Sequence, residues 1–178
     1  MEFSLDGTGI ILNRTPRLLR ALLDGLPEAL LRASYGPATW SPHEVIGHLI
    51  HGEKTDWMPR VRLILQAGEA AAFEPFDRNG HISLCREKTT GELLDLFESL
   101  RSANLTELRS MCLKPEHLAR RGRHPTLGPV TLSQLLATWV VHDLNHLAQV
   151  CKALSFQHQR EVGPWEAYLS ILAPPSPR

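Results

Sequence analysis

The longest helical pattern in this chain, from Thr131 to about Leu154, sets the fold class. Leu132, Leu135, Leu136, Trp139, Val150 and Leu154 recur at helical spacing along one stripe, and Thr131 or its neighbour caps the start. A second stripe, Ile46, Leu49, Ile50, Trp57, Val61 and Ile64, predicts a helix from Pro42 to about Gln66. It opens on a capping box, Ser41-Pro42-His43-Glu44, and Pro59 is expected to kink it. Leu93, Leu94, Phe97, Leu100, Asn104, Leu105 and Leu108 mark the buried side of a third helix over about Thr90 to Met111. The first begins at Thr15-Pro16, with Thr15 as N-cap, carries Leu18, Leu19, Leu22, Leu23 and Leu26, and ends near Gly25 to Pro27. Short helical pieces are expected at Glu28 to Arg32 and at about Pro164 to Leu172. The tail from Leu172 to Arg178 is expected to be loose. No alternating strand pattern of convincing length occurs. The expectation is therefore a single all-α domain over residues 1–178, a four-helix bundle with long connections at Ala67 to Thr90 and Lys114 to Val130.

Composition narrows the partners. At 178 residues and 43% hydrophobic, the chain can bury one sizeable core. Lys plus Arg and Asp plus Glu both total 19, so the basic stripe that nucleic acid demands is missing and no nucleic-acid partner is expected. Arg120, Arg121 and Arg123 form a short basic cluster of the kind usually found on a solvated loop. Cys85, Cys112 and Cys151 are odd in number and form no CxxC pair, which suits free thiols in a cytoplasmic protein. No stretch is apolar enough to span a bilayer, and no signal segment is evident, so no membrane association is expected. GxSxG, Walker-type and paired-glycine nucleotide motifs are all missing.

The chemistry concentrates in HDLNHLAQ, His142 to Gln149. Residues four apart on a helix share a face, so His142 and His146 present two imidazoles one turn apart, half of a site for zinc, nickel or iron. A histidine on the core side of a helix is more often a hydrogen-bonded structural residue, so a third donor is the question. Helix two offers His43, His48 and His51. His48 borders Val45, Leu49 and Gly52 at the edge of the apolar stripe, whereas His51 sits among Glu44, Gly47 and Thr55, which favours His48. Gly52 leaves room beside that imidazole or marks a close helix crossing.

Two carboxylates fall on apolar stripes, where desolvation demands a partner. Asp143 either orients a ligand imidazole or pairs with an arginine. Glu53 is a candidate acid, base or imidazole acceptor, with a salt bridge to an arginine such as Arg60 as the alternative. Gln149 shares the histidine side and is a candidate substrate contact or a packing residue. His81, His117, His124 and His158 lie in or near polar connections and are expected to be solvated, with His124 able to approach the site end of the bundle.

WSPHEVIGHLIHGE (Trp40 to Glu53), GRHPTLGPVTLSQLLATWVVHDLNHLAQV (Gly122 to Val150) and VGPWEAYLSIL (Val162 to Leu172) together resemble the DinB/YfiT-like superfamily of four-helix, often dimeric metal-binding proteins. The resemblance implies that His48, His142 and His146 form a three-histidine site for nickel, zinc or a similar divalent ion, with open coordination positions. It further implies a small-molecule substrate, a homodimer, and either metal-dependent hydrolysis or transfer chemistry that uses a low-molecular-weight thiol. A non-catalytic, stress-related metal-binding bundle is the alternative.

Overall fold

The computed structural model describes residues 3–173. The chain runs through α1 (Leu5–Leu12), α2 (Thr15–Leu23), α3 (Glu28–Leu31), α4 (Pro42–Thr55), α5 (Trp57–Ala67), α6 (Ile82–Glu87), α7 (Thr90–Ser110) and α8 (Pro115–Leu118). A hairpin of β1 (Arg121–His124) and β2 (Gly128–Thr131) leads into α9 (Leu132–Phe156) and α10 (Gln159–Val162), and 3₁₀ turns follow over Gly163–Tyr168 and Ser170–Leu172. Four rods make the bundle: α1 with α2, α4 with α5, α7, and α9. Both α7 and α9 pack against each of the two composite rods.

The long helices start where the chain supplies their caps. Ser41, Thr89 and Thr131 each accept from a backbone N–H three residues on, while Glu44, Glu92 and Gln134 reach back to the cap. Helix two is broken rather than kinked. Pro59 has no N–H for the Thr55 carbonyl and its ring clashes with that carbonyl, so α4 ends at Thr55 and α5 restarts after Asp56. Arg60 Nη2 lies 2.6 Å from Asp56 Oδ1 and ties the restart together as an ion pair.

Three segments differ from expectation. The chain forms α1 ahead of the first expected helix; its sequence, LDGTGIIL, holds two glycines and only a weak apolar stripe, but Ser4 caps it and Thr8 and Leu12 are buried. Thr15 consequently lies inside α2 and is not its cap, which is Arg14. The expected long connection over Lys114 to Val130 contains α8 and the hairpin, with Arg121 paired to Thr131 and His124 to Gly128. Strands of four residues reading RGRH and GPVT carry no apolar alternation. At the C-terminus, Gly163 turns the chain at φ 56°, and two 3₁₀ turns replace the expected helix. Leu172, expected in the loose tail, is buried; residues 174–178 lie outside the described residues.

The hairpin is seated on the bundle through Gly122. A Cβ there would stand 2.6 Å from Ile64 Cγ1 and 2.8 Å from Phe73 Cζ, so only glycine allows this approach. Gly122→Ala is expected to cost about 1–3 kcal/mol by overpacking, seen as a lower midpoint in thermal unfolding without loss of helical content.

The core divides into two halves. One holds Leu12, Trp57, Val61, Ile64, Leu105, Leu136 and Trp139; the other holds Leu19, Leu23, Ile46, Ile50, Leu93, Phe97 and Val150. Along α7 the step from Phe97 to Leu105 crosses Arg101; along the α4–α5 rod the step from Ile50 to Trp57 crosses Glu53; along α9 the step from Trp139 to Val150 crosses Asp143. All three polar residues are buried. A polar layer thus lies between the halves.

Candidate metal centre

His48 on α4 and His142 and His146 on α9 come together at one point. His142 Nε2 lies 3.1 Å from His48 Nε2 and 3.2 Å from His146 Nε2, and one ring nitrogen from each lies within 4.8 Å of the others. Nitrogens 3.1 and 3.2 Å apart are spaced as donors that share one ion about 2.0–2.1 Å from each, the distance of a metal–imidazole bond. Hydrogen bonding alone fits the cluster poorly. A neutral imidazole nitrogen is either a donor or an acceptor, so one shared nitrogen on His142 satisfies one of its two contacts. Three lone pairs aimed at one cation satisfy all of them, and the donor set is the one such an ion accepts.

The surroundings of His48 and His142 favour the neutral imidazole. Burial, followed by repulsion from His146 and His142, pushes His48 down to about 2; burial, then His146 and Arg101, pushes His142 down to about 3. Both values lie below the ordinary histidine value near 6.5. In the metal-free protein the unfolded chain therefore binds protons below about pH 6.5 that the folded chain refuses. Stability is expected to hold above about pH 6.5 and to fall towards pH 3, by up to ~1.4 kcal/mol per histidine per pH unit. Urea unfolding in the presence of a chelator at pH 7 and pH 5 measures this, and a His48→Ala/His142→Ala double variant should lose less on acidification.

Aromatic rings wall the centre. Trp40 packs on His48 at 4.6 Å between centroids and stacks on His146 at 6.0 Å. Phe76 meets His48 edge-on at 5.4 Å, and Trp57 meets His142 edge-on at 5.1 Å. His146 Nδ1 contacts Gln149 Oε1 at 2.9 Å, so Gln149, a candidate substrate contact, orients an imidazole. The Nδ1 atoms of His48 and His142 are buried and have no hydrogen-bond partner among the described residues. Packing, rather than hydrogen bonding, holds those two rings. Gly52 makes room for Trp57 rather than for His48, since a Cβ there would stand 3.1 Å from Trp57 Nε1.

The other candidates serve the fold. His43 spans Thr90 Oγ1 and the Cys85 carbonyl at 2.8 Å each, pinning α4 to α6 and α7. His81, expected to be solvated, is buried beside Trp40, and His124 packs edge-on against Phe73 on the hairpin, outside the three-histidine cluster. Glu53 does not pair with Arg60. Its Oε1 accepts from Arg101 Nε at 3.1 Å, Arg101 Nη2 at 2.8 Å and Trp139 Nε1 at 3.1 Å, and its Oε2 accepts from Asn104 Nδ2 at 2.9 Å. Asp143 takes a two-pronged grip from Arg101, Nη1 to Oδ2 at 2.6 Å and Nη2 to Oδ1 at 3.0 Å. Arg101 Nη1 also caps the Leu12 carbonyl at 2.8 Å.

Both carboxylates thus follow the arginine alternative, with Arg101 as the partner of each. Burial pushes Glu53 above the usual carboxylate range against the pull of Arg101. Burial also opposes the charge on Arg101, but Asp143 and Glu53 outweigh it and hold the guanidinium above its ordinary value. Arg101 escaped the sequence analysis, although it stands four residues from both Phe97 and Leu105 on the buried side of its helix. Trp40 and Phe76 gave no periodic signal, because both lie outside the long helices.

The sequence profile of the DinB superfamily matches residues 11–150. This chain belongs to that superfamily. A protein of Oceanobacillus iheyensis bearing the name "Putative metal-dependent hydrolase" is 28% identical over 159 residues, 84% of this chain and 90% of that protein. Among solved structures, YfiT from Bacillus subtilis, described as a probable metal-dependent hydrolase with an unusual four-helix bundle topology, matches with a TM-score of 0.72. It is 23% identical and covers 89% of this chain and 87% of its own. That likeness establishes the DinB-type bundle fold, and the three histidines of this member could hold a metal ion.

Proposed function

We propose that this protein is a metal-dependent hydrolase acting on a small molecule at the His48, His142 and His146 centre. The observation that carries the proposal is the convergence of three imidazole nitrogens from two helices, with no carboxylate among them. The names of the two relatives support the same reading. A divalent ion such as zinc or nickel, when bound, supplies Lewis acidity and lowers the pKa of water. Three protein donors leave positions open beside it.

The chain's own residues do the rest. His48, His142 and His146 bind through Nε2; Gln149 fixes the ring plane of His146; Trp40 screens His48 and His146 from bulk water. His142 is the most exposed of the three, which makes its side the approach for substrate. With Glu53 and Asp143 both paired to Arg101, neither is placed to shuttle the proton. Proton transfer then falls to solvent or to the substrate.

The test is metal analysis of protein purified without a histidine tag, followed by assays of esters and amides. Stoichiometric metal with turnover that a chelator abolishes supports the hydrolase. Turnover only of electrophiles supplied with a low-molecular-weight thiol would replace it with a thiol transferase, and stoichiometric metal without turnover would leave a binding protein.

A further inference from the structure

The aromatic rings beside the histidine centre are left partly open to water. Trp40 precedes α4 and Phe76 lies in the connection between α5 and α6, and both rest on His48, at 4.6 Å and 5.4 Å between centroids. Each is half-buried, although the imidazole they share is 5% exposed. The core aromatics Trp57, Phe73 and Trp139 are at most 4% exposed. Water gains from the covering of apolar ring surface, and a small molecule held at the centre would cover it.

Both rings are fixed in place. Trp40 adjoins Ser41, whose capping box starts α4, and packs edge-on against the buried His81 at 4.9 Å. The segment that carries Phe76 is tied at one end by the Phe73 N–H, which donates to the Arg123 carbonyl at 2.9 Å. At the other end Gly80 closes on His51, where a Cβ would stand 2.3 Å from His51 Cε1. Walls held this way need little ordering when a ligand arrives.

The helix edges beside the centre offer a substrate no fixed charge. Thr138 and Asn145, one turn either side of His142, are exposed, and Val141 next to them is 64% exposed. The charged residues of the 25-residue α9 are Asp143, paired to Arg101, and Lys152, towards its far end. On the side of α4 that carries His48 stand exposed Thr55, His51, and Glu44, whose carboxylate accepts from the Ser41 N–H and hydroxyl. Asp77 and Arg78, beside Phe76, are exposed and opposite in sign. A carboxylate or phosphate on the substrate would lose water against aromatic rings without a counter-charge to replace it. A cationic group gains from an indole face, but a divalent ion at the histidines repels it.

We propose that Trp40 and Phe76 are specificity-determining residues that take an apolar, uncharged acyl group of the substrate beside His48. The substrate class is then a neutral ester or amide whose acyl side is apolar. This rests on the hydrolase reading above.

Calorimetric titration of zinc-loaded, untagged protein with hydroxamic acids tests it without turnover, because these probes chelate a metal and carry the acyl group to be compared. Benzohydroxamate is expected to bind at least about tenfold more tightly than acetohydroxamate, as burial of a phenyl-sized surface gives. Ending a pentanohydroxamate chain in a carboxylate or a trimethylammonium group should weaken binding by about tenfold or more. Trp40→Ala and Phe76→Ala should each shrink the ratio of benzohydroxamate to acetohydroxamate affinity by at least about threefold, with zinc content at the parent level. The ratio is the readout, so a shift of the ion common to both probes cancels, and either variant serves if the other does not fold. Equal affinity for the two probes overturns the proposal, as does tighter binding of either charged chain or an undiminished ratio in the variants. A parent that takes up no zinc, or a zinc-loaded parent that turns over no ester or amide, would instead overturn the reading on which the proposal stands.

Discussion

Arg101→Met is expected to be the most destabilising single substitution in the chain. It strips the donors from two buried carboxylates and from the Leu12 carbonyl at once. Breaking one buried ion pair costs about 3–5 kcal/mol, and Arg101 serves two, against a total stability of about 5–15 kcal/mol for a typical domain. Glu53, which burial already pushes above the usual carboxylate range against the pull of Arg101, would take up a proton in the folded state at higher pH than in the unfolded chain. The deficit is therefore largest at neutral pH and shrinks as pH falls. Urea unfolding of parent and variant at pH 7 and pH 5 reads both the size and the sign. Replacing all three members with apolar residues should be far milder, since buried ion networks are often no more stabilising than hydrophobic packing of the same volume.

His48→Ala is expected to abolish stoichiometric metal binding, because His142 and His146 alone offer two donors from a single helix. We expect the dissociation constant to rise beyond the 10–100-fold cost of altering groups that merely support a ligand, with chelator-sensitive turnover lost in parallel. Metal-free stability should change far less. Truncation opens a cavity beside Trp40 and Phe76, but it also removes a buried Nδ1 without a partner, an arrangement that costs about 1–3 kcal/mol. His43→Ala provides the contrast, since His43 joins three helices and touches no member of the cluster by hydrogen bond. It should lower the thermal midpoint while metal content stays at the parent level. Elemental analysis and calorimetry on the same samples separate the two outcomes.

The long helices were legible because each carries several turns of apolar stripe and a polar cap, as at Ser41 and Thr131. The short elements were not. In α1 the glycines dilute the stripe, and in the hairpin Gly122 and Pro129 are chosen for backbone approach and edge position rather than for alternation. His48 could be ranked over His51 because the apolar stripe fixes which side of α4 faces inward. The arginine partner of Asp143 was foreseeable as a type but not as a residue, since placing Arg101 opposite both carboxylates depends on how three separate rods are aligned. Trp40 and Phe76 reach the centre through tertiary packing of irregular segments, for which no periodic rule exists.

The interruption at Asp56 has a mechanical consequence. Successive residues of a regular helix are rotated by about 100°, so positions five apart, such as Gly52 and Trp57, would diverge by roughly 140° in an unbroken rod. The long Trp57 side chain spans that angle, its indole lying against Gly52 and its ring meeting His142. The buried stripe runs on across the interruption through Ile50, Glu53, Trp57 and Val61, so the second half of the rod presents an indole to a donor carried by another helix. A substitution that straightens this joint, such as one at Pro59, would be felt at the imidazoles although it alters no ligand.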